Sequence, residues 1–302
     1  MSILNRPSDG LFNMVVVLHR TLLHEGAMSR DKLLALVAPP SVNAEPTMTR
    51  VSLNTWVELG LFSEDVDRTV RISAELSTPR RKDEAERHLP ITMRHLVLAP
   101  QNNERFWEAT ENRAADFTRA ISWMLAQDVY RTHFVGYKDP EKVERDQILD
   151  QSRRLFQNDT RWPGFKAWAP FLGFGSLGRY PRSDVFVIDP TIAVRERLDA
   201  VFEKRKELDV SEFVGRLAQE LPVLDRGTYR REVESQLNPD HWAAPKPNQL
   251  STSLSRALLR LHEDGLIWLD NRSDSNMRLE LLGQGRRVAL EVTHIVRKGV
   301  GA

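Results

Sequence analysis

The 302-residue chain contains no cysteine. That absence excludes disulfides, thiolate metal sites and a cysteine nucleophile. Also missing is any run of about 18 apolar residues, the length a membrane-spanning helix needs. The longest apolar run near the start, Met14 to Leu18, is too short for the core of a secretion signal, and no small-residue cleavage site follows it. Together these absences predict a cytoplasmic protein with no membrane partner. Charge of one sign is not in excess either: 43 basic side chains stand against 42 acidic ones, for a net charge of +1. A protein that coats nucleic acid non-specifically needs a positive surplus, although balanced totals still allow one local basic face. Neither a nucleophile elbow nor a Walker loop occurs.

Histidines are few and scattered. His19 and His24 are not at the spacing of three or four that puts two ligands on one helix face. His88 and His95 have no third ligand near them. No metal and no cofactor is expected.

What is present is helical periodicity with glycine and proline stops. Leu11 to Glu25 has apolar residues at helical spacing, and Gly26 can end that helix. Ser29 is a good N-cap for a second helix, Arg30 to Val37, which Ala38-Pro39-Pro40 stops. A third helix runs from Thr47 to Leu59 and ends at Gly60. Leu61-Phe62 and Thr69 to Ile72 then pair as a hairpin around Asp65 to Arg68. Three helices followed by a hairpin is the order of a winged helix-turn-helix.

Residues 77–88 read as a linker or an exposed helix start, and Leu89 to Pro100 as a short strand or a connecting segment between prolines. Glu104 to Phe134 and Glu141 to Asn158 read as helices. The segment 161–182 is aromatic and glycine-rich; Trp162, Phe165, Trp168, Phe171, Phe174 and Tyr180 could stack bases but read as core plus interface, and Val185 to Ile188 is a strand. Helices follow at 190–208, 209–221, 226–237 and 251–263, with Asp209 or Ser211 capping the second of them. Gly265 ends the last helix. Leu266 to Leu269 and Met277 to Leu282 then form a second hairpin around a polar tip, Asn271 to Asn276.

Leu59-Gly60-Leu61-Phe62 and Asp264-Gly265-Leu266-Ile267 repeat one local pattern, a helix that ends in glycine before an apolar strand. The predicted fold is therefore mainly α with small β-hairpin wings (α+β). Two winged helix-turn-helix modules, 1–76 and 189–302, flank a helical middle region, 77–188.

If the helix before each wing enters a major groove, its first residues approach phosphates and base edges. Thr47, Thr49, Arg50 and Asn54 hold that position in the first module. Ser251, Thr252, Ser253, Ser255 and Arg256 hold it in the second. Short hydroxyls donate to phosphate, and arginine reaches phosphate or guanine. Arg68, Arg71, Arg272 and Arg278 lie on the wings, along the DNA backbone. The same serines are also what any helix start uses as caps.

Two other patterns carry chemistry on paper. Gly173-Phe174-Gly175-Ser176-Leu177-Gly178 matches a dinucleotide fingerprint by letters, but Pro170 interrupts the segment before it and Pro181 the one after. The alternative is a tight aromatic loop. Asp184, Asp189 and Glu203-Lys204 would suit a metal-dependent nuclease only if the acids converge. Otherwise they are a helix cap and a solvated charged face.

The opening MSILNRPSDG, the long apolar helix after it and Ala38-Pro39-Pro40-Ser41 resemble the G component of bacterial gene clusters (Dpd) that place 7-deazaguanine bases in DNA. The resemblance runs the length of the chain and brings no catalytic motif with it. It implies a setting in DNA modification, restriction and phage defence, with other proteins of such a complex as partners. The leading expectation is a non-enzymatic component that binds double-stranded DNA or serves as an adaptor. A scaffold that docks a helicase or nuclease is the alternative, and a transcriptional regulator is a further one. Self-association into a homo-oligomer stays open.

Overall fold

The helical spacing of Val15, Leu18 and Leu22 is realised in α1 (Phe12–Glu25), which buries all three together with His19. The structure, a computed structural model, describes residues 2–4, 12–39, 41, 47–76, 79–108, 113–132, 134–180, 183–273, 275 and 277–299. Most of the opening MSILNRPSDG, Pro40, Pro181, and Asp274 and Asn276 of the polar tip lie outside the described residues. The chain forms two compact units, Met1–Phe117 with Asn158–Leu172, and Thr118–Gln157 with Gly173–Ala302. The stretch 77–188, read from sequence as one middle region, is thus divided between them.

After α1 come β1 (Met28–Ser29), α2 (Arg30–Val37), α3 (Thr47–Glu58), β2 (Phe62–Glu64), β3 (Thr69–Ile72) and α4 (Lys82–Leu98). Next, α5 (Ala115–Leu125) spans the division, α6 (Lys138–Gln147) belongs to the second unit and α7 (Arg161–Phe171) to the first. The second unit continues with β4 (Gly175–Tyr180), β5 (Ser183–Ile188), α8 (Thr191–Arg195), α9 (Leu198–Phe202), β6 (Glu207–Asp209), α10 (Val210–Glu220), α11 (Thr228–Glu234) and α12 (Thr252–Glu263). It closes with β7 (Ile267–Asp270), β8 (Leu279–Leu282), β9 (Val288–Val292) and β10 (His294–Arg297). The fold is mixed, helices with small antiparallel sheets. Among the described residues no helix is long and apolar enough to cross a membrane.

Each unit holds a three-stranded sheet of the same order, with the last strand in the middle. In the first, β3 pairs with β1 (Met28 opposite Val70) and with β2 (Phe62 opposite Ile72). In the second, β10 pairs with β6 (Ile295 opposite Leu208) and with β7 (Ile295 opposite Leu269). In each, the first strand runs straight into a helix, α2 or α10. In each, a later helix, α3 or α12, enters the second strand through a glycine with positive φ, Gly60 at +92° or Gly265 at +71°. Side chains with a Cβ rarely adopt that conformation, so glycine fits the turn.

Several local readings need correction. β8 does not return onto β7: it pairs with β9, as Leu279 opposite Val292. The expected second hairpin is therefore a separate two-stranded insertion between β7 and β10. Leu89 to Pro100 is not a strand. Ala85, Leu89, Met93 and Val97 are buried at intervals of four on α4, and Pro90 lies within that helix. The helices expected at 104–134 and 141–158 shorten to α5 and α6. After α6 the chain folds back, and Glu144 accepts the backbone N–H groups of Leu155 (2.8 Å) and Phe156 (2.7 Å). The helix expected over 190–208 splits into α8, α9 and β6, with Glu203 at φ +52° just beyond α9.

The aromatic segment forms α7 and β4, and Trp162, Phe165, Trp168 and Phe174 are buried in the core, while the side chain of Tyr180 lies outside the described ones. Trp168 packs on Trp56 with ring centres 5.5 Å apart, and Phe171 stacks on Phe12 at 4.4 Å. Trp162, Phe165 and Trp168 recur every three residues, a helical spacing that buries all three. Gly175 serves packing rather than phosphate: a Cβ there would lie 2.6 Å from the Phe186 ring. No helix follows the glycines; β5 does, so the fingerprint lacks the context its chemistry requires.

Candidate nucleic-acid interface

The buried side of α3 carries Thr49, Ser52, Leu53, Thr55 and Trp56. Its exposed side carries Thr47, Arg50 and Asn54, which fall at steps of three and four and so form one stripe. Thr49 leaves the expected site. It is 2% exposed and its hydroxyl faces Met14 Sδ at 3.6 Å.

Around the stripe, α2 and the β2–β3 turn close an open cleft of about 600 Å³ lined by Arg30, Asp31, Leu34, Arg50, Asn54, Glu64 and Arg68. Three arginines face two acids there. Arg30 donates to Glu64 at 2.5 Å and also to Asn54 Oδ1. Glu64 lies 3.8 Å from Arg68 through its other oxygen. The turn itself is fixed by backbone bonds: Arg30 N–H donates to Arg68 C=O at 2.9 Å, and Arg68 N–H to Asp65 C=O at 2.9 Å. Arg68 takes φ +62° there and keeps its side chain in solvent. Arg50 is exposed and has no ion-pair partner among the described residues. Arg71 lies on β3 and pairs with Asp65, outside the cleft lining. Of the residues singled out from sequence, Arg50, Asn54 and Arg68 line this cleft and Thr47 shares the exposed stripe without lining it, whereas Arg30 and Glu64 line it without having been singled out. Arg30 reads as an ordinary first residue of a helix, and only the fold brings it to α3.

The second module's candidates are placed differently. Ser251, Thr252, Ser253 and Ser255 are all buried, at 3% exposure or less. Ser251 caps α12 by accepting from Leu254 N–H and donates to Asp225 at 2.6 Å. Thr252 accepts from Val129 N–H (3.1 Å), Ser253 donates to the Leu125 carbonyl (2.7 Å), and Ser255 accepts from Leu282 N–H (2.9 Å). These hydroxyls are internal fasteners with no path to a phosphate, which corrects the expectation for all four. Arg256 turns inward as well. It donates to the Ile188 carbonyl at 3.3 Å and lies over the Tyr130 ring at 4.8 Å.

Arg272 forks onto Glu207 at 2.7 and 2.6 Å and reaches Asp270 at 2.8 Å. That pairing raises the arginine above its ordinary pKa and lowers Glu207 below the usual carboxylate range. Arg278 pairs with Glu291 at 2.8 Å across β8 and β9. Both wing arginines are thus engaged by carboxylates of their own unit.

The acids proposed for metal do not converge. Asp184 and Asp189 are five residues apart on and just beyond the extended β5, about 16 Å by strand rise. Asp189 accepts from Thr191 N–H (3.0 Å) at the start of α8 and pairs with Arg260. Glu203 pairs with Arg216 at 3.3 Å. Among the described residues no group of three or more histidines and acids is placed to hold a metal ion.

Residues 1–275 match the family model described as DpdG-like. No curated protein and no solved structure matches the chain.

Proposed function

Because this chain belongs to the DpdG-like family, the G component of the Dpd gene clusters, we propose that it is a non-enzymatic DNA-binding and adaptor component of a DNA-modification and phage-defence system. Its setting is the chemistry of 7-deazaguanine in DNA, and its partners are other proteins of that system. In this reading both sheets belong to winged-helix modules, α1–β1–α2–α3–β2–β3 and α9–β6–α10–α12–β7–β10. α3 is the helix offered to the major groove of double-stranded DNA, and the β2–β3 turn is its wing.

The observation that carries the reading is the single cleft that gathers Arg50 and Asn54 of α3, Arg30 of α2 and Arg68 of the wing. A donor-rich helix face beside a wing arginine suits phosphates and base edges together. The test is fluorescence anisotropy of the full chain on a duplex of about 30 base pairs, titrated with salt. Affinity should fall steeply as salt rises. The double variant Arg50→Ala, Arg68→Ala should lower the log–log salt slope by about 2, near 0.9 for each phosphate that an arginine no longer neutralises. An unchanged slope, or no binding at low salt, would overturn the assignment.

A docking role for the second unit is favoured by one feature. Trp268 on β7 is 49% exposed, with the His262 ring centre 4.7 Å and Lys298 Nζ 5.3 Å from its own. An exposed tryptophan of this kind suits a protein partner, such as a helicase or nuclease of the same system.

A further inference from the structure

Arg30 begins α2 and reaches across to α3. One end of its guanidinium donates to Glu64 and the other to Asn54 Oδ1. A guanidinium carries donors only, so the amide that meets it must present its oxygen. Asn54 therefore turns its NH₂ group away from Arg30, and that group has no protein acceptor among the described residues. Arg30 is itself held. Its side chain is 11% exposed, Glu64 takes its other nitrogen at 2.5 Å, and its backbone N–H is bound to the wing.

The exposed face of α3 thus presents donors at two successive turns, the Arg50 guanidinium and the Asn54 amide. In the major groove guanine offers two neighbouring acceptors, O6 and N7, whereas adenine sets a donor beside its acceptor. A free asparagine reads adenine by using its oxygen and its NH₂ together. Here Arg30 already takes one lone pair of that oxygen and fixes the amide's orientation, so the oxygen is not free to turn with the NH₂ onto adenine.

We infer that this face of α3 reads guanine edges in the major groove, with Asn54 fixed as a donor by Arg30 and Glu64. Arg30 and Glu64 act as positioning residues and touch no base. The inference rests on the DNA-binding reading of the same cleft and adds the base class to it.

The experiment compares the full chain on three duplexes of equal length: mixed sequence rich in G·C, the same sequence with every guanine replaced by inosine, and A·T alone. Inosine keeps O6 and N7 but lacks the minor-groove amino group. The G·C and inosine duplexes should bind alike, and A·T about five- to tenfold more weakly, the low end for one well-placed contact. Inosine that behaves like A·T, or equal binding to all three, overturns the inference and leaves DNA binding standing. No binding to any duplex removes both.

Two variants sharpen the test. Asn54→Asp, at an exposed position, should shrink the preference for G·C over A·T to the share that Arg50 alone supplies, at most about half of it in free energy. Arg30→Met, checked for folding by its melting curve, should free the amide and bring A·T binding within about twofold of G·C. Discrimination left undiminished by both changes overturns the assignment.

Discussion

Two helices of equal length, α3 and α12, each twelve residues long, lead through a left-handed glycine into the second strand of a small sheet, yet they bury opposite parts of themselves. α3 keeps Thr47, Arg50 and Asn54 in solvent, beside Arg30 and Arg68. α12 buries its whole first turn, and every hydroxyl there has a partner inside its own unit. The neighbouring clefts differ in the same sense. In the first unit three arginines meet two acids. In the second, a cleft of about 510 Å³ between α9 and α10 sets Glu203, Glu212 and Glu220 against Arg216. One order of elements therefore supports one helix free to meet an anion and another fastened into the core. What separates them is whether their polar groups are already satisfied.

The fastening of α12 gives the largest expected effect. Asp225 accepts both Ser251 N–H and Ser251 Oγ at 2.6 Å and lies 3.9 Å from Arg230, whose side chain is 1% exposed. Asp225→Ala would strand the buried Ser251 N–H, leave the Ser251 hydroxyl with only Ser253 Oγ at 2.9 Å to donate to, and remove the more buried carboxylate facing the Arg230 guanidinium. Breaking such a buried pair costs about 3–5 kcal/mol, read as a drop in the urea midpoint at constant m-value. Asn54→Ala on α3 should cost within about 0.5 kcal/mol, as exposed positions do. If Asp225→Ala costs no more than Asn54→Ala, the start of α12 is not held as described and the contrast fails.

Next in size is a pH effect in the first unit. His19 lies on the buried face of α1 with no partner for its Nδ1 among the described residues, and burial lowers its pKa from 6.5 to about 4, against a smaller opposing pull from Glu86. Glu86 is already bound by His24 (2.7 Å) and Arg20 (3.2 Å). The folded state resists the proton that the unfolded state accepts. Stability is therefore complete above pH 6.5 and falls as the pH drops toward 4, by up to about 3 kcal/mol. Asp116, pushed up by burial, has the opposite sign, so the wild-type slope mixes the two. His19→Gln isolates the histidine. Its melting temperature should fall less than the wild type's between about pH 7 and pH 4.5. Equal slopes would sink the assignment.

Much of the first unit is legible because its signals are local. α1, α2, α3 and the β2–β3 hairpin each show an apolar period and a stop within a few residues; in the second unit the caps are equally local, Ser251 on α12 and, of the two candidates Asp209 and Ser211, Asp209 on α10. What stays hidden depends on distant partners. The hydroxyls of α12 read as solvent-facing until the carbonyls of Leu125 and Gln127, more than a hundred residues earlier, are seen to take them. Sequence alone pairs β7 with the nearest apolar strand, because nothing within 267–282 reveals that β10 is its partner. Pro90 and the β-branched residues near it imitate a strand, and only the burial of Leu89, Met93 and Val97 settles the helix. At the candidate site, Arg50 and Asn54 follow from helical spacing. The Glu64–Arg30–Asn54 chain does not, since it joins three elements.

The smallest expected effect tests the comparison from the side of α12. Arg256→Ala should leave DNA affinity within about twofold and the salt slope unchanged, because its guanidinium is spent on the Ile188 carbonyl and the Tyr130 ring. Arg278→Ala is a softer test. Its pair with Glu291 is exposed, and such pairs are worth only about 0–1 kcal/mol, so a phosphate could compete for it. The two variants therefore separate two ways of being wrong. A loss of affinity in Arg278→Ala alone would extend the DNA interface to the β8–β9 insertion while leaving α12 in the core. A loss in Arg256→Ala at an unchanged melting temperature would mean that α12 opens toward DNA, and the two helices would then be used alike.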